Sequence, residues 1–153
     1  MHVIFLYAST GCGHLKAAGY VREALMDTGG NLEIHMADVL NLCYFPVESF
    51  MLNMFKLLIS KCPCIYRLLY RLTENNAWFN RFAGMFFSRS IEALKKRCLD
   101  EDVKAVVCTH PLALLFASRL KRELKEVCPL TMGIITDYRI HRFWLYPYID
   151  LYC

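Results

Sequence analysis

The sequence contains no pair of cysteines at CxxC spacing, no basic amino-terminal stretch leading into a long apolar segment, and no apolar run near the ~20 residues a membrane span needs. Each absence removes a class of protein. Eight cysteines stand at 12, 43, 62, 64, 98, 108, 128 and 153, but without CxxC spacing they disfavour zinc ribbons and thioredoxin-like redox motifs. No metal-ligand set and no cofactor are expected. Residues 1–6 do not read as a secretory leader, so a cytosolic, reduced, non-spanning protein is expected. The charge balance is also slight. With 18 Lys and Arg against 14 Asp and Glu, a net of +4 does not mark a general polyanion binder, and no nucleic-acid partner is expected. What is present is apolar: 56% of 153 residues, enough to fill one domain's core and too much for a disordered chain.

Residues 3–8 form a short continuous apolar run that stops at Ser9-Thr10-Gly11-Cys12-Gly13, the pattern of a buried parallel strand followed by a turn. Ala17, Ala18, Val21, Ala24 and Leu25 then fall at helical spacing, and Gly29-Gly30 supplies a stop. Residues 32–39 read as a second strand, completing a βαβ unit with its right-handed crossover preference. The same grammar returns later: a strand at 103–109, a helix at 112–127, a strand at 130–136 closed by Asp137, and the start of another strand at 149–153. The expected fold class is therefore α/β, a Rossmann-like open parallel sheet, with a helical insertion at 44–97.

That insertion differs in character. It holds nine Lys and Arg against three Glu, a net of +6, which leaves the rest of the chain at −2, and it carries 11 of the 21 aromatics. Two or three helices are expected there, broken near Cys62-Pro63-Cys64 and Asn75-Asn76. In the first, Ser49, Asn53, Lys56 and Ser60 make a polar stripe so narrow that the helix is either buried or faces lipid. The next stretch sets Arg67 and Arg71 one turn apart among Tyr70 and aliphatic residues, a pattern that suits a membrane interface. Lys56, Arg67, Tyr70, Arg71, Trp78, Phe79 and Arg81 are the expected docking residues for an anionic phospholipid surface. The competing reading packs these helices into the domain's own core.

Three rims carry chemistry. Gly11, Cys12 and Gly13 let the backbone turn tightly before a helix whose free N–H groups favour an anion, yet a dinucleotide fingerprint would need Gly or Ala where Lys16 stands. A turn whose glycines serve geometry alone remains the alternative. His14 falls in the first helical turn, at the carboxyl end of a buried strand where open α/β sheets bind ligands; a surface capping histidine is the plainer possibility. After the fourth strand come Asp137, His141 and Trp144, either a polar and stacking group on one loop or a capped turn with a packed Trp. His110 precedes Pro111 at a third strand end and reads most simply as a helix cap.

Taken together, Tyr7-Ala8-Ser9-Thr10-Gly11-Cys12-Gly13-His14 with Ala17-Ala18, Val106-Val107-Cys108-Thr109-His110-Pro111, and Thr136-Asp137-Tyr138 through His141 and Trp144 to Asp150-Leu151-Tyr152 resemble, in order, motifs of monogalactosyldiacylglycerol synthases and bacterial diacylglycerol glucosyltransferases. One departure is Cys12, where that family usually has glycine. The resemblance implies the N-terminal half of a GT-B glycosyltransferase: residues 1–153 as the acceptor-side domain, with the UDP-sugar held mainly by a C-terminal donor domain that this chain does not resemble. It implies a hexose moved from UDP-sugar to diacylglycerol, His14 as general base, and Asp137, His141 and Trp144 shaping an acceptor cleft. A peripheral site on the inner face of the membrane goes with it, and residues 1–153 alone are expected not to transfer sugar. Two other readings stay open: a non-catalytic module for anionic membranes, and a nucleotide- or phosphate-binding Rossmann-like domain.

Overall fold

Val3, Ile4, Phe5 and Leu6 are almost wholly buried, because the strand they form has neighbours on both edges and helices on both faces. In the computed structural model, residues 1–43, 87–138 and 140–153 are described, together with scattered helical positions between 50 and 65. The strand is β1 (His2–Tyr7); helix α1 (Cys12–Asp27) leads to β2 (Glu33–Asp38). Next come α2 (Ser88–Asp100), β3 (Val103–Cys108), α3 (Pro111–Leu124), β4 (Leu130–Gly133) and β5 (Leu151–Tyr152), with single 3₁₀ turns at Lys125–Val127 and Arg142–Trp144. All four strand pairings are parallel, in the order β2-β1-β3-β4-β5. The fold is Rossmann-like α/β, as expected from the sequence.

Strand alternation divides the core in two. Val3, Phe5 and Val107 point toward Ala18 of α1, while Ile4, Leu6, Val106 and Cys108 point toward α2 and α3. α1 ends as the Gly-Gly pair suggests: Gly29 takes a φ of +74° and donates its N–H to the Met26 carbonyl. Pro111 opens α3 at the position where a missing N–H costs nothing. β4 is shorter than the run 130–136 suggests, although its ladder continues through Ile134 N–H to the Cys108 carbonyl and Ile135 N–H to the Cys153 carbonyl. β5 is clamped by Asp150, whose Oδ2 accepts from the Thr131 amide, the Thr131 hydroxyl and Lys121 Nζ, each at 2.8 Å.

The helix α2 begins inside the stretch read as insertion and ends three residues beyond it. Ser90, Ile91, Leu94 and Cys98 form its buried face, and Phe87 packs on Phe116 with ring centroids 5.4 Å apart. Residues 88–97 thus belong to the β2-to-β3 crossover and the domain core. Burying a side chain such as Leu94, 1% exposed, contributes about 1.5–3 kcal/mol. Four of the insertion's nine basic residues, Arg89, Lys95, Lys96 and Arg97, ride on this helix. Among the scattered helical positions, Phe50, Met54, Leu57 and Ile65 are exposed. Among the described residues no helix is long and apolar enough to cross a membrane.

Candidate functional site at the strand switch point

Strand order reverses between β1 and β3: the chain runs outward from β1 to β2, then returns to β3 on β1's other edge. The two connections leave on opposite faces, which opens a crevice at the strands' carboxyl ends. Into that crevice the sequence delivers residues 9–14 after β1, Thr109 and His110 after β3, and Thr136 and Asp137 after β4.

His14 occupies the third position of α1, whose N-cap is Gly11. Its Nδ1 lies 2.7 Å from the Thr109 carbonyl oxygen and 2.8 Å from Thr136 Oγ1. A carbonyl can only accept, so Nδ1 carries the proton and donates it. In the neutral ring the lone pair is then on Nε2, which has no hydrogen-bond partner among the described residues. Thr109 fixes the helix start as well, its hydroxyl donating to the His14 carbonyl at 2.9 Å. The ring is thus held by groups 95 and 122 residues away in the chain.

His110 presents the opposite tautomer. Its Nδ1 accepts the Leu112 amide N–H at 3.1 Å, capping α3, so the proton sits on Nε2, 3.4 Å from Thr10 Oγ1. Burial, with His14 alongside, pushes its pKa down to about 3. The two imidazoles meet edge to face with centroids 4.6 Å apart. With its pKa held that low, the His110 ring beside His14 is neutral near pH 7 and adds no charge to the crevice.

Trp144 is fully buried, its centroid 6.2 Å from that of His14, and its indole N–H donates to Asp137 Oδ2 at 2.8 Å. Asp137 itself is exposed at the crevice rim. His141 is 2% exposed, and its Nδ1 accepts the Phe143 amide N–H, which caps the 3₁₀ turn. His14, His110, Asp137 and Trp144 therefore come together, while His141 packs beneath the loop. Gly11, Cys12 and Gly13 are exposed, and a Cβ added at either glycine would meet nothing within 4 Å. That leaves room for a ligand above the loop. Lys56, Arg67, Tyr70, Arg71, Trp78, Phe79 and Arg81 lie outside the described residues.

Thr10, Thr109 and Thr136 were not singled out from the sequence as site residues. Their one signal is position, since each lies within three residues of a strand's carboxyl end. The described cysteines are all free. Burial pushes the Cys98 thiol up to about 12 and the Cys128 thiol to about 11, and raises Cys108 further, which keeps them unreactive. Among the described residues, the one His/Cys/Asp/Glu group close enough to share a metal is His2, Glu33 and His35, at the other end of the sheet.

In comparisons with known proteins, the family model described as monogalactosyldiacylglycerol (MGDG) synthase matches residues 14–153. No curated protein and no solved structure matches the chain.

Proposed function

The chain belongs to the monogalactosyldiacylglycerol synthase family, a family of glycosyltransferases, and from that premise we propose that it is the acceptor side of an enzyme that transfers a hexose from a UDP-sugar to diacylglycerol, with His14 as general base. The observation that carries this reading is the fixed tautomer of His14. With Nδ1–H donated to the Thr109 carbonyl, the lone pair of the neutral ring is on Nε2, and His14 directly follows the exposed Gly11-Cys12-Gly13 loop. The diacylglycerol hydroxyl gives its proton to Nε2 as its oxygen bonds to the anomeric carbon, and the bond from that carbon to UDP breaks. The charge that then forms on the ring is stabilised through Nδ1–H by the 2.7 Å contact to Thr109. Asp137 stands at the rim on the acceptor side, and Trp144, buried behind it, holds its carboxylate through the indole N–H rather than lining the cleft itself. The UDP-sugar comes from a donor-binding domain facing the strands' carboxyl ends.

The reaction sits on a membrane surface in this reading, on its inner face, because diacylglycerol does not leave the bilayer. Support comes from the basic and aromatic content of residues 44–97 and from the exposed apolar helical positions Phe50, Met54, Leu57 and Ile65. Each Lys or Arg near an anionic surface adds about 1 kcal/mol, screened by salt, whereas the apolar contribution is not.

The experiment joins this domain to a donor-side domain and measures sugar transfer to diacylglycerol alongside vesicle co-sedimentation. His14→Ala is expected to lower kcat by ~10²- to 10⁴-fold while vesicle binding holds. Unchanged kcat removes His14 from the role. Arg67→Glu/Arg71→Glu is expected to weaken binding to anionic vesicles at low salt; if binding stays at the wild-type level in a folded protein, the docking assignment falls.

A further inference from the structure

At the amino ends of the strands, opposite the crevice, the parallel ladder gathers three ligand-type side chains on one face. His2 of β1 stands in register with Glu33 of β2, and His35, two residues on, shares Glu33's side of the sheet, in register with Ile4. The contacts are close. His2 Nδ1 lies 3.5 Å from Glu33 Oε2, and His35 Nε2 lies 3.2 Å from Glu33 Oε1, so the carboxylate turns one oxygen to each ring. One ligand atom from each residue falls within 4.8 Å of the other two.

Nothing in the acceptor crevice uses these residues. β1 spans six residues from His2 to Tyr7, which at ~3.3 Å per residue puts roughly 17 Å between this group and the site of His14. One atom is also anomalous. His2 Nδ1 is shut off from solvent and has no hydrogen-bond partner, its approach to Glu33 being too poor to count as one. A polar atom left in that state is costly, and a cation accepting its lone pair would remove the cost.

We propose that His2, Glu33 and His35 bind a divalent transition-metal ion of the zinc class, pinning edge strand β2 to β1. Two imidazoles and a carboxylate are the donor set such an ion takes. Calcium and magnesium prefer more oxygen ligands than this site offers. Tetrahedral geometry with 2.0–2.1 Å bonds separates ligand atoms by about 3.4 Å; each nitrogen already stands near that distance from one of the two Glu33 oxygens, and a turn of the carboxylate brings a single oxygen between the rings. The two rings lie parallel within 5° with centroids 6.1 Å apart, so the ion is taken up by turning the imidazoles about their side-chain torsions. The strand register holds the backbone in place. Water fills the fourth position. As the three side chains are 34–61% exposed, the ion reaches the site without unfolding.

The test uses Zn²⁺ and Co²⁺ with the reduced chain. Expected results are 1:1 binding by calorimetry, a Co²⁺ visible spectrum of nitrogen and oxygen ligands, and a higher urea midpoint with Zn²⁺. His35→Ala and Glu33→Gln should each weaken binding tenfold or more and abolish the Zn²⁺-dependent midpoint shift, with far-UV circular dichroism unchanged. Glu33→Gln keeps the shape of the side chain, so its result stands even if an alanine variant folds poorly. Failure of the wild type to bind either ion overturns the proposal. So does a sulfur-to-cobalt charge-transfer band that survives in His2→Ala/Glu33→Gln/His35→Ala, which would assign the metal to the exposed thiols of Cys12, Cys64 or Cys153.

Discussion

Acid should destabilise this domain through His110 in a way that one substitution isolates. Burial, with His14 beside it, holds the folded-state pKa of His110 near 3, against an ordinary value of 6.5 in the unfolded chain. Above 6.5 both states carry the neutral ring and His110 contributes no pH dependence. Below 6.5 the unfolded chain takes up a proton that the folded chain refuses, and stability falls by about 1.4 kcal/mol per pH unit until the pH nears 3. Between about pH 7.5 and pH 5 that amounts to about 2 kcal/mol. Part of the residue stays accessible to water, so this figure is an upper one. Asparagine is the informative replacement, because its side-chain oxygen can accept the Leu112 amide as His110 Nδ1 does, keeping the helix cap while removing the titration. Urea unfolding followed by circular dichroism at the two pH values gives four stabilities. The other four histidines are common to both proteins, so the double difference isolates the substitution. His110→Asn should be shallower than wild type by close to one proton per molecule. Equal slopes would mean that His110 is protonated at pH 5 in the folded state, and the neutral ring assigned to the crevice would be wrong.

Long-range nitrogen NMR on the imidazoles should find His14 protonated at Nδ1 and His110 at Nε2; the reverse assignment at His14 would leave Nε2 without the lone pair a general base needs. Gly133→Ala should cost about 1–3 kcal/mol in urea unfolding, since its Cβ would come within 2.8 Å of Leu114 Cδ2 and 2.9 Å of Tyr152 Cδ1, whereas a neutral result would mean that α3 and β5 pack more loosely. Trp144→Phe, which loses the bond to Asp137 and leaves part of a fully buried volume unfilled, should cost on the order of 2 kcal/mol, and stability within a few tenths of wild type would contradict that burial. Gly13→Ala should stabilise the domain in urea unfolding by up to about 1 kcal/mol of helix propensity, because nothing lies within 4 Å of the added carbon; destabilisation would mean the loop is covered.

The element sequence was legible because it is written locally. The apolar runs 3–8 and 105–108 mark β1 and β3 as covered strands, while Gly29-Gly30 ends α1 and Pro111 starts α3 through backbone sterics that act within a few residues. The helix α2 was harder to place. Arg89, Lys95, Lys96 and Arg97 lie between its apolar positions, so composition alone assigned it to a basic insertion. Packing of Phe87 on Phe116, and burial of Ile91 and Leu94, puts it in the crossover. The two histidine sets differ in the same respect. Sequence placed His14 at a helix start and a strand end, which strand and helix signals suffice to establish. It could not assign the ring's proton, because that depends on Thr109 and Thr136, brought to Nδ1 by the order in which the strands assemble. Nor could it join His2 to Glu33 and His35, since only the β1–β2 register brings residues 31 apart in sequence onto one face. Local sterics and hydrophobic period fix which segments are strands and helices. Hydrogen-bond partners and side-chain contacts between distant segments are fixed only when the sheet closes, because that is when the entropy of bringing remote residues together is offset by burial.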